Sequence, residues 1–206
     1  MQVVKAKNAL FILLLSVVLP YVHGQEISFK DTVAAYNSQR IKINKTGMEV
    51  LGSWGLVNIA GSGVGYFAAK QDEWKYFHEM NVLWGVVNTG IAAMGMVGVR
   101  KEMAKKLNYQ QAYDRYLANK KLYLINAGLD VLYIGTGIGL ATYSKSAKSD
   151  KDIYSGFGKS LVVQGVFLLL FDNVMFASHA SGNSKWYRLM NEIRISNAGV
   201  GFNHSF

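Results

Sequence analysis

Asp130 and Asp172 are the two acidic residues that fall well inside long apolar runs of this chain. A charged aspartate at the centre of a membrane-crossing helix costs about 2.5–3.5 kcal/mol on insertion scales, so it must face protein or water, find a partner, or hold a proton. Around them, Asn58, His78, Asn81, Asn88, Asn126 and Gln164 interrupt other apolar stretches. His78, Asn81, Gly85 and Asn88 recur at i, i+3, i+7 and i+10, which places them on one face of a helix. Asn126 and Asp130, four apart, share a face as well, and Gln164 and Asp172, eight apart, lie towards one side of their own segment.

Two chemistries fit this set. One is a hydrogen-bonded seam that fixes the register of packed helices, each bond contributing roughly 0.6–2 kcal/mol. The other is a proton, ion or small-solute site built on Asp130, Asp172 and His78. The ligand spacing of a metal centre is missing, and no Ser/His/Asp arrangement or metalloprotease motif is legible, so no metal, cofactor or catalytic site is expected. The chain reads as a non-enzymatic component, with a small transporter as the alternative.

The elements that must carry these residues are helices. Residues 50–69 and 80–99 are each 20 residues long and uncharged. That matches the length an α-helix needs to cross a hydrocarbon core about 30 Å thick. Two more apolar runs follow at 122–143 and 161–179. The expected fold is all-α: a polytopic membrane protein with four transmembrane helices in a bundle (spans 50–69, 80–99, 122–143 and 161–179 within a domain 48–180). A polar N-terminal segment 25–47 precedes it, with a short amphipathic surface helix and an extended stretch at 40–45, and a polar tail 181–206 follows it. The strongly basic connector 100–121 reads as helical and 144–159 as a solvated loop. The tail closes on an alternating stretch and a terminal Phe206, as barrel proteins do, but four unbroken helix-length runs argue against a barrel.

Half of the residues are hydrophobic and 17% are charged, against roughly 25% in an average soluble domain. The net charge of +9 sits between the apolar runs, without a nucleic-acid motif, so the expected partner is the lipid bilayer and not a nucleic acid. A second copy of the chain, or a larger membrane complex, is the other expected partner. There is no cysteine, which excludes disulfides and thiolate chemistry.

Lys5 and Lys7, the apolar run 9–19, Pro20 and the small residue Gly24 have the order of a secretory signal peptide, cut after Gly24. An exported helical bundle belongs in the inner (cytoplasmic) membrane. Cleavage there would put 14 Lys and Arg outside the cytoplasm and 6 inside, the reverse of the usual bias, and the signal is taken to dominate.

Gly61 and Gly65, and Gly135 and Gly139, are each four apart, the spacing that lets two membrane helices approach closely. The phosphate-cradle reading of such glycines needs a strand–turn–helix context that apolar flanks do not supply. The clusters Gly61-Ser62-Gly63-Val64-Gly65 and Gly135-Thr136-Gly137-Ile138-Gly139 suggest a 2+2 parallel repeat.

Several stretches also carry a family likeness: 43–48 leading into Leu51-Gly52-Ser53-Trp54; Phe77-His78-Glu79-Met80-Asn81 with Trp84, Val87 and Asn88; Asn126 to Asp130; and Gly158-Lys159-Ser160 with Gln164-Gly165 and Phe171-Asp172. Over most of 43–180 the chain resembles a small uncharacterised family of bacterial four-helix integral membrane proteins. The resemblance implies the bundle and brings no activity with it.

Overall fold

The computed structural model describes residues 29–183, 185, 186, 193–196 and 199–202, so the signal-peptide reading lies outside the described residues. Four helices fill almost all of it: α1 Phe29–Ala68, α2 Asp72–Met103, α3 Tyr109–Tyr143 and α4 Lys151–Ala180. A two-stranded antiparallel hairpin, β1 Ile193–Ser196 and β2 Gly199–Phe202, pairs Ile193 with Phe202 and Ser196 with Gly199. It accounts for the alternating stretch read in the tail.

Helices α2, α3 and α4 are long and apolar enough to cross a membrane. Helix α1 is longer still, at 40 residues, or about 60 Å at 1.5 Å per residue. Its residues 50–68 are uncharged, but Trp54, Asn58 and a run of Gly and Ser dilute its hydropathy below that of the other three. Three boundaries differ from the sequence reading. Residues 40–45 are helical, not extended, and Arg40 at their start is held by Asn37 one turn before it and by Glu102 far along the chain. The connector 100–121 is divided between the ends of α2 and α3. Helix α3 restarts at a capping box, in which the Asn108 side chain accepts from Gln111 N–H at 2.9 Å and the Gln111 side chain accepts from Asn108 N–H at 3.2 Å. The loop after α3 ends already at Asp150, whose positive φ of 56° turns the chain into α4.

A single rule orders the packing. The helices bury lines of residues three, four or seven apart, the spacing of a heptad seam, and α4 buries Ser160 and Gln164 on a second line beside its first. In α2 the line is Asn81, Gly85, Asn88, Ala92 and Val99, and in α3 it is Tyr116, Tyr123, Asp130 and Gly137. In α4 it runs Gly158, Leu161, Gly165, Leu168, Asp172, Met175 and His179. These lines are rich in small and polar residues, while Leu56, Val64, Met94, Leu132 and Leu170 point outward, with Phe67 88% exposed. A soluble protein has the opposite arrangement; an apolar belt around a polar core is stable where the surroundings are themselves apolar.

Helices α1 and α2 form one tight antiparallel pair, α3 and α4 another, and α4 also lies along α2. Helices α2 and α3 barely touch; Trp84 and Tyr133, with ring centroids 5.1 Å apart, bridge the gap. Beyond the apolar belt, the first half of α1 joins the start of α3 and Trp186 in an aromatic cap of Val33, Tyr36, Tyr109, Tyr113, Tyr116 and Trp186. Beneath it, buried Arg40 donates to Asn37 Oδ1 (2.9 Å) and pairs with Glu102, which also takes Arg115 at 2.5 Å.

The glycine reading needs correction. A Cβ added at Gly61, Gly135 or Gly139 would meet nothing within 4 Å, so within one chain these residues lie on open outer faces. Gly65 faces the His78 ring. The close approaches are elsewhere: Gly55 against the Gly85 carbonyl and Gly137 against the Gly158 carbonyl, each with 2.7 Å for a new Cβ. The two glycine clusters are thus used differently, and the packing gives the proposed repeat no equivalent positions there.

Candidate functional site

The heptad lines bring most of the predicted polar residues together in two adjoining groups. In the first, Gln164 of α4 is the hub. Its Nε2 donates to Asn58 Oδ1 and to Asn81 Oδ1, both at 2.7 Å, and its Oε1 accepts from Trp54 Nε1 at 2.9 Å and from Asn88 Nδ2 at 3.5 Å. Ser160 Oγ donates to Asn81 Oδ1 at 2.9 Å. Gln164, Asn81 and Asn88 are almost wholly buried. A side-chain amide has two donors and one acceptor oxygen, and here all of them are engaged across three helices. This group does what a seam does: it fixes the axial register of α1, α2 and α4.

The second group is different. Asp130 of α3 and Asp172 of α4 are both 3% exposed and lie together at the helix interface, lining the same groove with Asn126. Two neighbouring carboxyls buried in this way are costly to ionise together, which favours a proton on one of them. No ion pair among the described residues includes either group. Asp130 Oδ2 and Asp172 Oδ1 receive no donor, and neither does the buried Trp84 Nε1 find an acceptor.

Both carboxyls line a groove of about 430 Å³ between α2 and α3. Its polar floor is Asn88, Asn126, Asp130 and Asp172, and its walls are Leu83, Trp84, Val87, Ile91, Leu129 and Tyr133 with their neighbours. The groove exists because α2 and α3 each pack on α4 and not on one another. Small-ligand sites are commonly of this size, apolar with a few convergent polar groups.

His78 does not join the carboxyl pair. Its ring abuts Gly65 at the α1–α2 end and is absent from the groove, so a site combining His78 with both aspartates is not formed. Among the described residues no cluster of three or more His, Asp and Glu is arranged to hold a metal ion.

The sequence reading missed Trp54 and Ser160. Each lies one helical turn before a residue it had singled out, Asn58 and Gln164, and that i−4 spacing was the available signal. It also missed a third polar set, in which Asn44 Oδ1 meets His179 Nε2 at 2.9 Å and Tyr123 Oη at 3.4 Å, with the Tyr123 and His179 rings stacked 5.6 Å apart.

A sequence model matches residues 50–173, more than half of the chain. The chain belongs to DUF6992, a family of unknown function. The DUF6992 match begins midway along α1 and ends one residue beyond Asp172. It therefore contains the whole amide network and the carboxyl pair, and of the aromatic cap it leaves out Val33, Tyr36 and Trp186. No curated protein and no solved structure matches the chain.

Proposed function

We propose that this DUF6992 protein is a non-enzymatic protein of the inner membrane, crossed by all four helices, that binds and exchanges a proton and a small solute at Asp130 and Asp172. The observation that carries the reading is the carboxyl pair itself: two neighbouring buried acids, without a basic partner, at the floor of a groove in the apolar belt. The amide network is already satisfied and holds register. Inside the groove, the carboxyl pair and the neighbouring Trp84 Nε1 are left with hydrogen bonding incomplete, which is what a binding site requires of its resting state.

Four crossings are supported by the outward apolar residues of the second half of α1 and by its tight pairing with α2. The orientation test uses the absence of native cysteine. Single cysteines at Lys106 and Ser149, both exposed, flank α3. A membrane-impermeant thiol reagent applied to intact cells should label one of them and not the other. Label at Lys106 means that the first half of α1 lies outside the cytoplasm, and label at Ser149 means the reverse. Equal labelling of both would remove α3 as a crossing.

For the carboxyls, proteoliposomes carrying an internal pH dye should dissipate an imposed proton gradient with wild type. Asp130→Asn and Asp172→Asn should each slow this about tenfold or more while retaining cooperative unfolding in detergent. Unchanged flux in both variants, or loss of the fold in both, would leave the pair as a structural element and defeat the reading.

A further inference from the structure

The groove also says what kind of solute it takes. We infer that it binds a lipophilic organic monocation, which enters sideways from the bilayer between α2 and α3 and replaces the proton shared by Asp130 and Asp172. The inference rests on the proton-exchange reading above and adds the ligand's charge, shape and route.

Charge comes first. The residues lining the groove include two carboxyls and no Lys, Arg or His; Tyr123 and Tyr133 are its other titratable groups, and His179 lies behind the Tyr123 ring. A pair of buried acids without a built-in counter-ion takes its compensating charge from what binds there. With one shared proton the pair carries a single negative charge. A monocation in place of that proton leaves the same charge, so the exchange moves no net charge into or out of a low-dielectric site. The proton released goes to solvent, and the ligand keeps its own charge throughout. A dication or an anion would not exchange on these terms.

Shape comes next. Above the carboxyls the walls are aliphatic and aromatic, and Leu83, Val87 and Ile91 of α2 and Leu122 and Leu129 of α3 are exposed at the rim. Trp84, Tyr133, Tyr123 and Phe171 supply aromatic surface beside the acids, where a cation over a ring gains roughly 0.5 kcal/mol or more. A fully hydrated inorganic ion would find few partners on such walls. An apolar body with one buried charge fits both parts.

The route follows from the packing. Helices α2 and α3 are the neighbouring pair that does not close, and their rim is the outward apolar surface that faces lipid in a bilayer. A ligand that partitions into the membrane reaches the acids without crossing the amide network.

The probe is tetraphenylphosphonium, which has a fixed charge and no proton to donate, with triphenylphosphine oxide as a neutral counterpart. The measurement is equilibrium binding to the full-length protein in detergent, with proton release followed in weakly buffered solution. Wild type should bind the cation, prefer it strongly over the neutral compound, and release about one proton per cation bound. Asp172→Asn and Asp130→Asn should weaken binding by at least about 30-fold. Leu83→Trp, which fills the rim, should weaken cation binding in the same assay. Equal binding of the neutral compound, or binding that survives both Asp→Asn changes, overturns the inference. Proton flux that depends on the pair with no cation binding defeats the cation inference alone. Neither flux nor binding depending on the pair defeats both readings.

Discussion

Gln164→Leu should lower the stability of the bundle by about 3–5 kcal/mol, more than the loss of any one of its hydrogen bonds would suggest. A hydrogen bond between membrane helices contributes little by itself, about 0.6 kcal/mol on average. The larger cost comes from what is left behind. Trp54 Nε1 and Asn58 Oδ1 would lose the partner that satisfies each across the interface, at 2.9 and 2.7 Å. Asn88 would lose its contact as well, whereas Asn81 would keep Ser160. Each buried group stranded in this way costs about 1–3 kcal/mol. The double variant Asn58→Leu/Gln164→Leu should recover part of the loss, because one of the stranded acceptors is then gone. Unfolding followed in mixed micelles gives both numbers. If Gln164→Leu is as stable as wild type, or if the double change is simply additive, the network is not the element that fixes register.

How far the sequence carries the argument can be judged from the same residues. Asn81, Asn88 and Asp130 could be found from spacing alone, because in a helix surrounded by apolar side chains a polar minority every three or four residues marks the inward line. Pairing was not legible. That Asp130 meets Asp172 and not Gln164 depends on the relative slide of α3 and α4, which is set by contacts between residues far apart in sequence, such as Gly165 against the Asp130 carbonyl at 3.2 Å for an added Cβ. His78 shares a helical face with Asn81 but lies about 15 Å along α2 from Asn88, at 1.5 Å per residue, and so serves the α1–α2 end instead of the groove. The first half of α1 was misjudged for the same reason. Its amphipathic spacing was visible, but Arg40 is buried only because Glu102 lies opposite, and nothing local in 25–47 names that partner.

The glycines give the second test, and here the sequence held a signal that a four-residue spacing conceals. Counting in sevens from Asp130 along α3 gives Tyr123 and Tyr116 in one direction and Gly137 in the other, which is the buried line. Gly135 and Gly139 fall on either side of it. A Cβ at Gly137 would lie 2.7 Å from the Gly158 carbonyl oxygen and 2.8 Å from the Val162 nitrogen. Both are backbone atoms of α4, so no side chain can swing aside and the helices must separate. Gly137→Ala should therefore cost about 1–3 kcal/mol, with Gly137→Val worse. Gly135→Ala and Gly139→Ala meet open space and replace a poor helix former, so each should be neutral or stabilising by up to roughly 1 kcal/mol. The same separation would draw Asp130 away from Asp172, so Gly137→Ala should also reduce proton flux, although no polar atom has been touched. Parallel denaturation and liposome assays of the three variants decide the matter. Gly139→Ala behaving like Gly137→Ala would mean that the outer glycines pack against a second copy, and the single-chain account of the α3–α4 interface would then be incomplete. Equal stability of Gly137→Ala and wild type would mean that this interface does not set the register on which the carboxyl contact depends.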